Sequence, residues 1–139
     1  AKYRARLAAA GIAPERVRLL PQCGHDDYLR VNTLCDVMLD TLHWSGGNTS
    51  LDALACGLPL VTLPGRFMRG RQSAGMLGLM QIEECVARDE DDYVRIAAAL
   101  AKDRARCDEV SRRILAAGAR IFDDAAPVAA LAQWLRENA

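Results

Sequence analysis

The sequence predicts an α/β fold: a parallel sheet of short strands alternating with helices, followed by a run of C-terminal helices. Four short apolar segments, Val17–Leu20, Asp36–Leu39, Leu60–Leu63 and Ile82–Ala87, are separated by stretches of helical character. None of the four alternates strictly between apolar and polar residues, as expected when helices cover both faces of a sheet. In the last third of the chain the apolar residues recur at helical spacing, with no further strand signal.

Residues 2–10 read as a short helix stopped by Gly11 and Pro14. The first strand, VRLL, is closed by Pro21. Asp26 to Leu34 forms a helix carrying Leu29 and Leu34 inward, and DVML is the second strand. After a Gly-rich turn, Thr49 to Cys56 reads as a helix ended by Gly57 and Pro59. LVTL, the third strand, is closed by Pro64. Gly70 to Met80 is helical in character, and Ile82 to Ala87 is the fourth strand. Tyr93, Ile96, Ala97, Leu100 and Ala101 fall at i, i+3, i+4, i+7 and i+8, so the acidic run Asp89–Asp92 opens an amphipathic helix. Val110, Ile114 and Leu115 mark a second C-terminal helix. Val128, Leu131, Ala132 and Leu135 mark a third, with Pro127 tolerated in its first turn. All three are expected to cover the sheet.

Composition bounds the function. The 139 residues suit one domain, and 51% hydrophobic with 26% charged residues allow a substantial core. Lys plus Arg is 18 and Asp plus Glu is 18, so the net charge is 18 − 18 = 0. Nucleic-acid or anionic-membrane binding over a broad surface would need a basic excess, so neither is an expected partner; a small anion pocket remains compatible. No apolar run approaches the ~20 residues of a membrane span. Five scattered cysteines without a Cys-x-x-Cys pair fit a reducing compartment, and the expected location is cytoplasmic. Two histidines are too few for a zinc cluster with these cysteines, and no metal is expected. A doubly wound sheet normally opens with a strand, yet this chain opens with a helix and offers only four strands. Residues 1–139 are therefore expected to form a single, partial domain of a larger protein.

The stretch from Leu39 to Asp52, LDTLHWSGGNTSLD, runs from a strand through a Gly-Gly turn into a helix. Gly46 and Gly47 let the backbone approach a ligand, and the first amides of the helix point unpaired toward the loop. With the helix dipole, that geometry suits a phosphate or diphosphate without a basic side chain. Asn48, Thr49 and Ser50 can add side-chain donors. Asp52 lies four residues after Asn48 and three after Thr49, on their helix face, where its carboxylate suits the hydroxyls of a ribose. A phosphate site beside a ribose carboxylate points to a nucleotide. A simpler reading also stands on spacing alone: Thr49-x-x-Asp52 as a capping box over a tight turn. Two further loops belong at the same sheet edge. Pro21 to Tyr28 brings the imidazole of His25 and the ring of Tyr28. Pro64 to Arg71 brings Arg66, Arg69 and Arg71, suited to phosphate or to an interdomain contact. His43 and Trp44 are expected to pack the turn.

The ordered string Leu39-Asp40-Thr41 … Gly46-Gly47-Asn48-Thr49-Ser50-Leu51-Asp52-Ala53-Leu54 … Gly57-Leu58-Pro59-Leu60-Val61-Thr62-Leu63-Pro64-Gly65 … Arg71-Gln72-Ser73-Ala74 resembles the catalytic region of O-linked N-acetylglucosamine transferases, closest to the bacterial, TPR-containing, SPINDLY-like branch. The resemblance runs from about Val17 to Tyr93 and more loosely to the end. It implies a Rossmann-like parallel sheet forming the C-terminal half of a GT-B glycosyltransferase, with UDP-sugar held mainly by this half. By the same resemblance the turn at Gly47-Asn48-Thr49 holds the diphosphate and Asp52 the ribose. The chain departs from the family at Gly47-Asn48, where His-Thr is common, at His25, where a lysine is common, and at Tyr28, where a histidine is common. His25 or Arg71 is expected to take over the role of the missing lysine.

The resemblance implies transfer of a sugar, N-acetylglucosamine by family habit, from a UDP-sugar to Ser/Thr of an acceptor protein, with inversion and without a metal. No general base is found here, so no catalytic residue is assigned. The acceptor side is expected in a missing N-terminal catalytic half, preceded by TPR repeats, and the fragment alone is expected to be inactive. Other GT-B transferases, a UDP-sugar epimerase, or a non-catalytic nucleotide-binding module are the alternatives at this point.

Overall fold

The computed structural model describes residues 2–138. Seven helices carry most of the chain: α1 Lys2–Ala9, α2 His25–Leu34, α3 Asn48–Ala55, α4 Gln72–Met80, α5 Glu90–Lys102, α6 Arg104–Ala116 and α7 Ala126–Asn138. Two strands, β1 Met38–Leu39 and β2 Leu60–Val61, pair in parallel with Met38 opposite Leu60 and Leu39 opposite Val61. A parallel bridge joins Thr62 to Val86 on the far side of β2. The fold class is therefore α/β with a small parallel sheet. The carboxyl ends of β1, β2 and the bridge open toward one edge, so the loops Asp40–Gly47 and Leu63–Arg71 and the segment from Ala87 emerge together.

The core sits where α4, α5 and α6 cover this sheet. Leu60, Val61, Leu77, Ile82 and Ile114 are among its fully buried side chains. Each such side chain contributes about 1.5–3 kcal/mol by leaving water. Helix α3 is stopped by Gly57, whose φ of +72° is the left-handed conformation that favours glycine. The Gly57 amide bonds Leu54 O at 3.0 Å and the Leu58 amide bonds Ala53 O at 2.9 Å, which satisfies the last carbonyls of the helix. A Cβ on Gly57 would lie 2.8 Å from the Leu115 side chain, so α3 and α6 meet at this residue. Helix α5 starts as its acidic run predicts. The side chain of Asp89 accepts the Asp92 amide at 2.8 Å, and buried Asp92 accepts from the Arg88 amide and from the side chains of Arg88 and Arg95.

Four expectations are corrected. Val17 is extended, but Val17–Leu20 forms no strand and pairs with none among the described residues, and Leu19 and Leu20 are exposed. An apolar run encodes an extended preference, whereas a strand exists only with a partner for its backbone groups. Ile82–Ala87 contributes one bridge residue, because Glu83–Cys85 closes into a 3₁₀ turn while Ile82 and Cys85 go to the core. Leu34 is 84% exposed. It lies five residues from Leu29, about 140° around a helix, so the two cannot share a face. Helix α7 forms as expected but buries no residue: Val128, Leu131 and Leu135 are all exposed, and it does not cover the sheet. The five cysteines are free. Cys85 and Cys107 are buried as expected of small hydrophobes, while Cys23 and Cys35 are exposed. Burial pushes the Cys85 thiol up to about 12, with the Glu84 carboxylate acting in the same direction. No helix among the described residues is long and apolar enough to cross a membrane.

Two outcomes test this account. Gly57→Ala should destabilise the chain by about 1–3 kcal/mol in urea unfolding, through combined strain and overpacking against Leu115. The Arg95 side chain, then the Arg88 amide, hold the Asp92 carboxyl down to about 2 from its ordinary 3.8. Between these values the unfolded chain binds the proton more readily, so stability rises with pH there. The contribution of Asp92 should be complete above pH 3.8 and lost as the pH falls through 2. Asp92→Asn should flatten that limb of an acid-unfolding curve.

Candidate functional site

The carboxyl edge of the sheet is organised around Asp40, the residue that follows β1. It is 5% exposed, and all its polar groups are used. Its amide donates to Val61 O at 2.9 Å, extending the β1–β2 ladder by one residue. One carboxylate oxygen accepts the hydroxyls of Ser45 at 2.8 Å and Thr62 at 2.7 Å; the other accepts the Gly46 amide at 2.8 Å. Its carbonyl accepts the Tyr93 hydroxyl at 2.8 Å. Burial, with the nearby Asp40 carboxyl, pushes the Tyr93 phenol above its ordinary value, so it remains a donor at neutral pH. The Ser45 hydroxyl also accepts the Ser73 amide at 2.9 Å, and the Ser73 hydroxyl lies 2.8 Å from those of both Ser45 and Ser50. Five buried polar side chains, Asp40, Ser45, Ser50, Thr62 and Ser73, thereby find their partners within the protein.

This network sets where α3 begins. Gly47 occupies the position before the helix, and no side chain caps it. The Gly47 carbonyl accepts the Ser50 and Leu51 amides, so the amides of Asn48 and Thr49 have no acceptor among the described residues. The capping-box reading is set aside: Thr49 lies inside the helix, and Asp52 bonds elsewhere. Unpaired amides at a helix start, with the dipole behind them, attract an anion. Gly46 leaves no room for a side chain, since a Cβ would sit 2.3 Å from Ser50 Oγ and 2.8 Å from Thr49 Oγ1. At Gly47 a Cβ would come within 3.1 Å of Gln72 Oε1, so the start of α4 abuts the same turn.

The expected residues come together in part. Gly46, Gly47, Asn48 and Thr49 form the turn, with Asn48 and Thr49 exposed. Asp52 lies one turn further along α3, and its Oδ1 is 3.1 Å from His25 Nε2 at the start of α2. Tyr28, half-buried, follows His25 by three residues on α2 and so shares its side of that helix. Arg71 is exposed and precedes α4, beside Gln72 at the turn, and no carboxylate pairs with it among the described residues. Ser50 is a correction. It is fully buried against Ser73 and cannot offer its hydroxyl to a ligand. Trp44 is another, being 67% exposed rather than packed in the turn, with the Arg69 guanidinium 5.9 Å from its ring and 4.8 Å from that of Phe67. His43 is exposed at φ +66°. The residues missed by sequence reasoning as site builders are Asp40, Ser45, Thr62, Ser73 and Tyr93. A signal for them existed in the small polar residues at strand ends, where side chains can reach loop backbone.

A profile of glycosyl transferase family 41 matches residues 1–124 of this chain. The chain belongs to glycosyl transferase family 41. Within this family it is 36% identical over 98 residues to a protein of Solanum lycopersicum described as a probable UDP-N-acetylglucosamine–peptide N-acetylglucosaminyltransferase SPINDLY, covering 70% of this chain and 10% of that one. A UDP-N-acetylglucosamine–peptide N-acetylglucosaminyltransferase of Caenorhabditis elegans is 32% identical over 93 residues, 67% of this chain and 8% of that one. A mutant O-GlcNAc transferase of Thermobaculum terrenum superposes with a TM-score of 0.84 at 36% identity, covering 98% of this chain and 26% of that one. The family 41 chain described here thus spans about a tenth of the length of the curated relatives it matches.

Replacing Asp40 tests the network. Asp40→Asn keeps one acceptor oxygen but turns an amide N–H₂ toward a donor, and should cost about 1–3 kcal/mol in chemical denaturation. Ser73→Ala, which strands the buried Ser50 hydroxyl, should fall in the same range of about 1–3 kcal/mol.

Proposed function

We propose that this chain is the nucleotide-sugar-binding part of a protein O-glycosyltransferase that moves N-acetylglucosamine from its UDP conjugate to Ser or Thr of an acceptor protein. One observation carries the reading: the bare amides of Asn48 and Thr49, held in place by the buried Asp40 network, with the Asp52 carboxylate one helical turn away. Family membership and the activities for which the relatives are named support the same donor and acceptor classes.

In this reading the amides bind the diphosphate, Asp52 accepts the ribose hydroxyls, and Tyr28 lies beside the base. His25 and Arg71 stand in for the lysine common in the family. The acceptor hydroxyl attacks the anomeric carbon, the bond to the diphosphate oxygen breaks, and the configuration inverts. Charge grows on the departing diphosphate, and donors already aimed at it need no reorganisation as it does so. A hydrogen bond to a charged group contributes about 1.5–3 kcal/mol, enough for two amides and a guanidinium to replace a metal ion at this task. The proton of the acceptor goes to a base outside residues 1–139. The chain would form most of the C-terminal, Rossmann-like domain of a GT-B enzyme in the cytoplasm, facing an N-terminal catalytic half that TPR repeats precede, and alone it would not turn over.

Calorimetric titration with UDP, UDP-GlcNAc, GDP and ADP decides the reading. The uridine nucleotides should bind most tightly; a preference for ADP or GDP would overturn it. Asp52→Ala should weaken UDP binding about tenfold, or about 1.4 kcal/mol. In the full-length protein His25→Ala and Arg71→Ala should each raise the UDP dissociation constant, and unchanged values would remove those two residues from the site.

A further inference from the structure

Arg66 and Arg69 are left over by the donor site, and their surroundings are unusual for surface arginines. Between Thr41 and Ile82 the sequence holds a single acidic residue, Asp52, and three basic ones, Arg66, Arg69 and Arg71. No carboxylate pairs with Arg66 or Arg69 among the described residues, although the arginines of α5 and α6 have several ion pairs. Both guanidinium groups lie over rings instead. Arg69 sits 4.8 Å from the Phe67 centroid and 5.9 Å from that of Trp44, and Arg66 sits 5.8 Å from Phe67. Those rings are held in water: Trp44 is 67%, Phe67 57% and neighbouring Met68 81% exposed.

The platform is also rigid. The Gly65 amide bonds Gly70 O at 2.7 Å, closing the loop on itself, and the Ser45 amide bonds Arg69 O at 2.8 Å. A Cβ on Gly70 would stand 3.4 Å from both Gly65 Cα and His43 O, so the two loops pack backbone to backbone. Arg69 is thereby tied to the residue immediately before Gly46 and hence to the start of the amide turn. Two stacked, uncompensated cations on exposed aromatic rings, beside a site for a charged donor, form a surface for a flexible anionic partner. The stacking leaves the edges of the guanidinium groups free for bidentate contact with carboxylates.

We infer that the Trp44–Phe67–Arg66–Arg69 platform binds the acceptor protein, selecting segments in which Asp or Glu residues flank the modified Ser or Thr. The inference rests on the donor reading for its placement but not for its test. An extended nucleic acid is the less fitting partner, since the basic surface is one loop wide on a chain of zero net charge.

The test uses the full-length protein and two fluorescently labelled Ser/Thr dodecapeptides that differ only in flanking residues, Asp/Glu in one and Asn/Gln in the other. Anisotropy should show the acidic peptide binding at least fivefold more tightly, with the difference shrinking as salt rises. R66A/R69A should abolish that preference while the dissociation constant for UDP stays within twofold. In transfer assays the loss should appear in KM for the acidic peptide, with kcat retained. Arg69→Lys, which keeps the charge and loses the planar stack, should recover only part of the preference. Equal binding of the two peptides, or of neither, by the unsubstituted protein overturns the inference. So does a fall in UDP affinity in R66A/R69A that accounts for the whole effect, which would assign these arginines to the donor. Tighter binding of an oligo(U) strand than of the acidic peptide overturns it as well. Failure of UDP to bind at all would sink the donor reading and leave the peptide comparison to decide this one.

Discussion

Asp40 is the residue on which the carboxyl edge of the sheet depends. A carboxyl group that is almost wholly buried is costly unless every lone pair finds a donor, and here three donors converge on its two oxygens. Those donors belong to the loop after β1, to the end of β2 and to the amide turn, while its own carbonyl receives Tyr93 from α5. Asp40 thus ties together three stretches that are distant in sequence: its own loop with Ser45 and Gly46, the residue after β2, and α5. The turn at Gly46 is placed by this attachment, and the direction of α3 follows from it.

Electrostatics at the turn come from the backbone rather than from side chains. The whole chain is neutral, and its ion pairs are concentrated around α2, α5 and α6. At the carboxyl edge the positive character is supplied by the two unpaired amides of α3 and by Arg66, Arg69 and Arg71, which pair with no carboxylate among the described residues. Such donors are pre-oriented, so an anion meets them without any prior reorganisation of the protein. Two carboxylates lie near the turn: Asp40 is buried and taken up by Ser45, Thr62 and the Gly46 amide, and Asp52 is turned to His25 across the gap between α2 and α3. That contact joins α2 to α3.

The scaffold behind the site is more economical than the sequence suggested. Two residues in each strand and one bridge suffice to set the polarity of the edge, because α4, α5 and α6 clamp the sheet through fully buried aliphatic side chains. The segment around Leu19 and Leu20, and the apolar side of α7, contribute nothing to that clamp among the described residues.

Much of this was legible in the residue order, and the boundary has a physical origin. Helix positions, the stop at Gly57, the acidic start of α5 and the glycine turn before α3 are local properties. They depend on φ preferences, on capping and on spacing along one helix, all of which a sequence carries directly. The turn's use of backbone amides was readable for the same reason, since a glycine pair before a helix determines what the first amides can do. Strand identity was not readable at Val17–Leu20, because pairing needs a neighbour that sequence order does not supply. The reach of Asp40 to Thr62, of Ser45 to Ser73 and of His25 to Asp52 spans 22, 28 and 27 residues, and only packing brings such side chains within hydrogen-bond distance. Likewise Ser50 reads as a ligand donor by its place in the turn, yet burial against Ser73 gives its hydroxyl to the protein. Local chemistry was decided by the chain itself; which polar groups remain free for a ligand was decided by the fold, because satisfaction of buried donors and acceptors is settled in three dimensions.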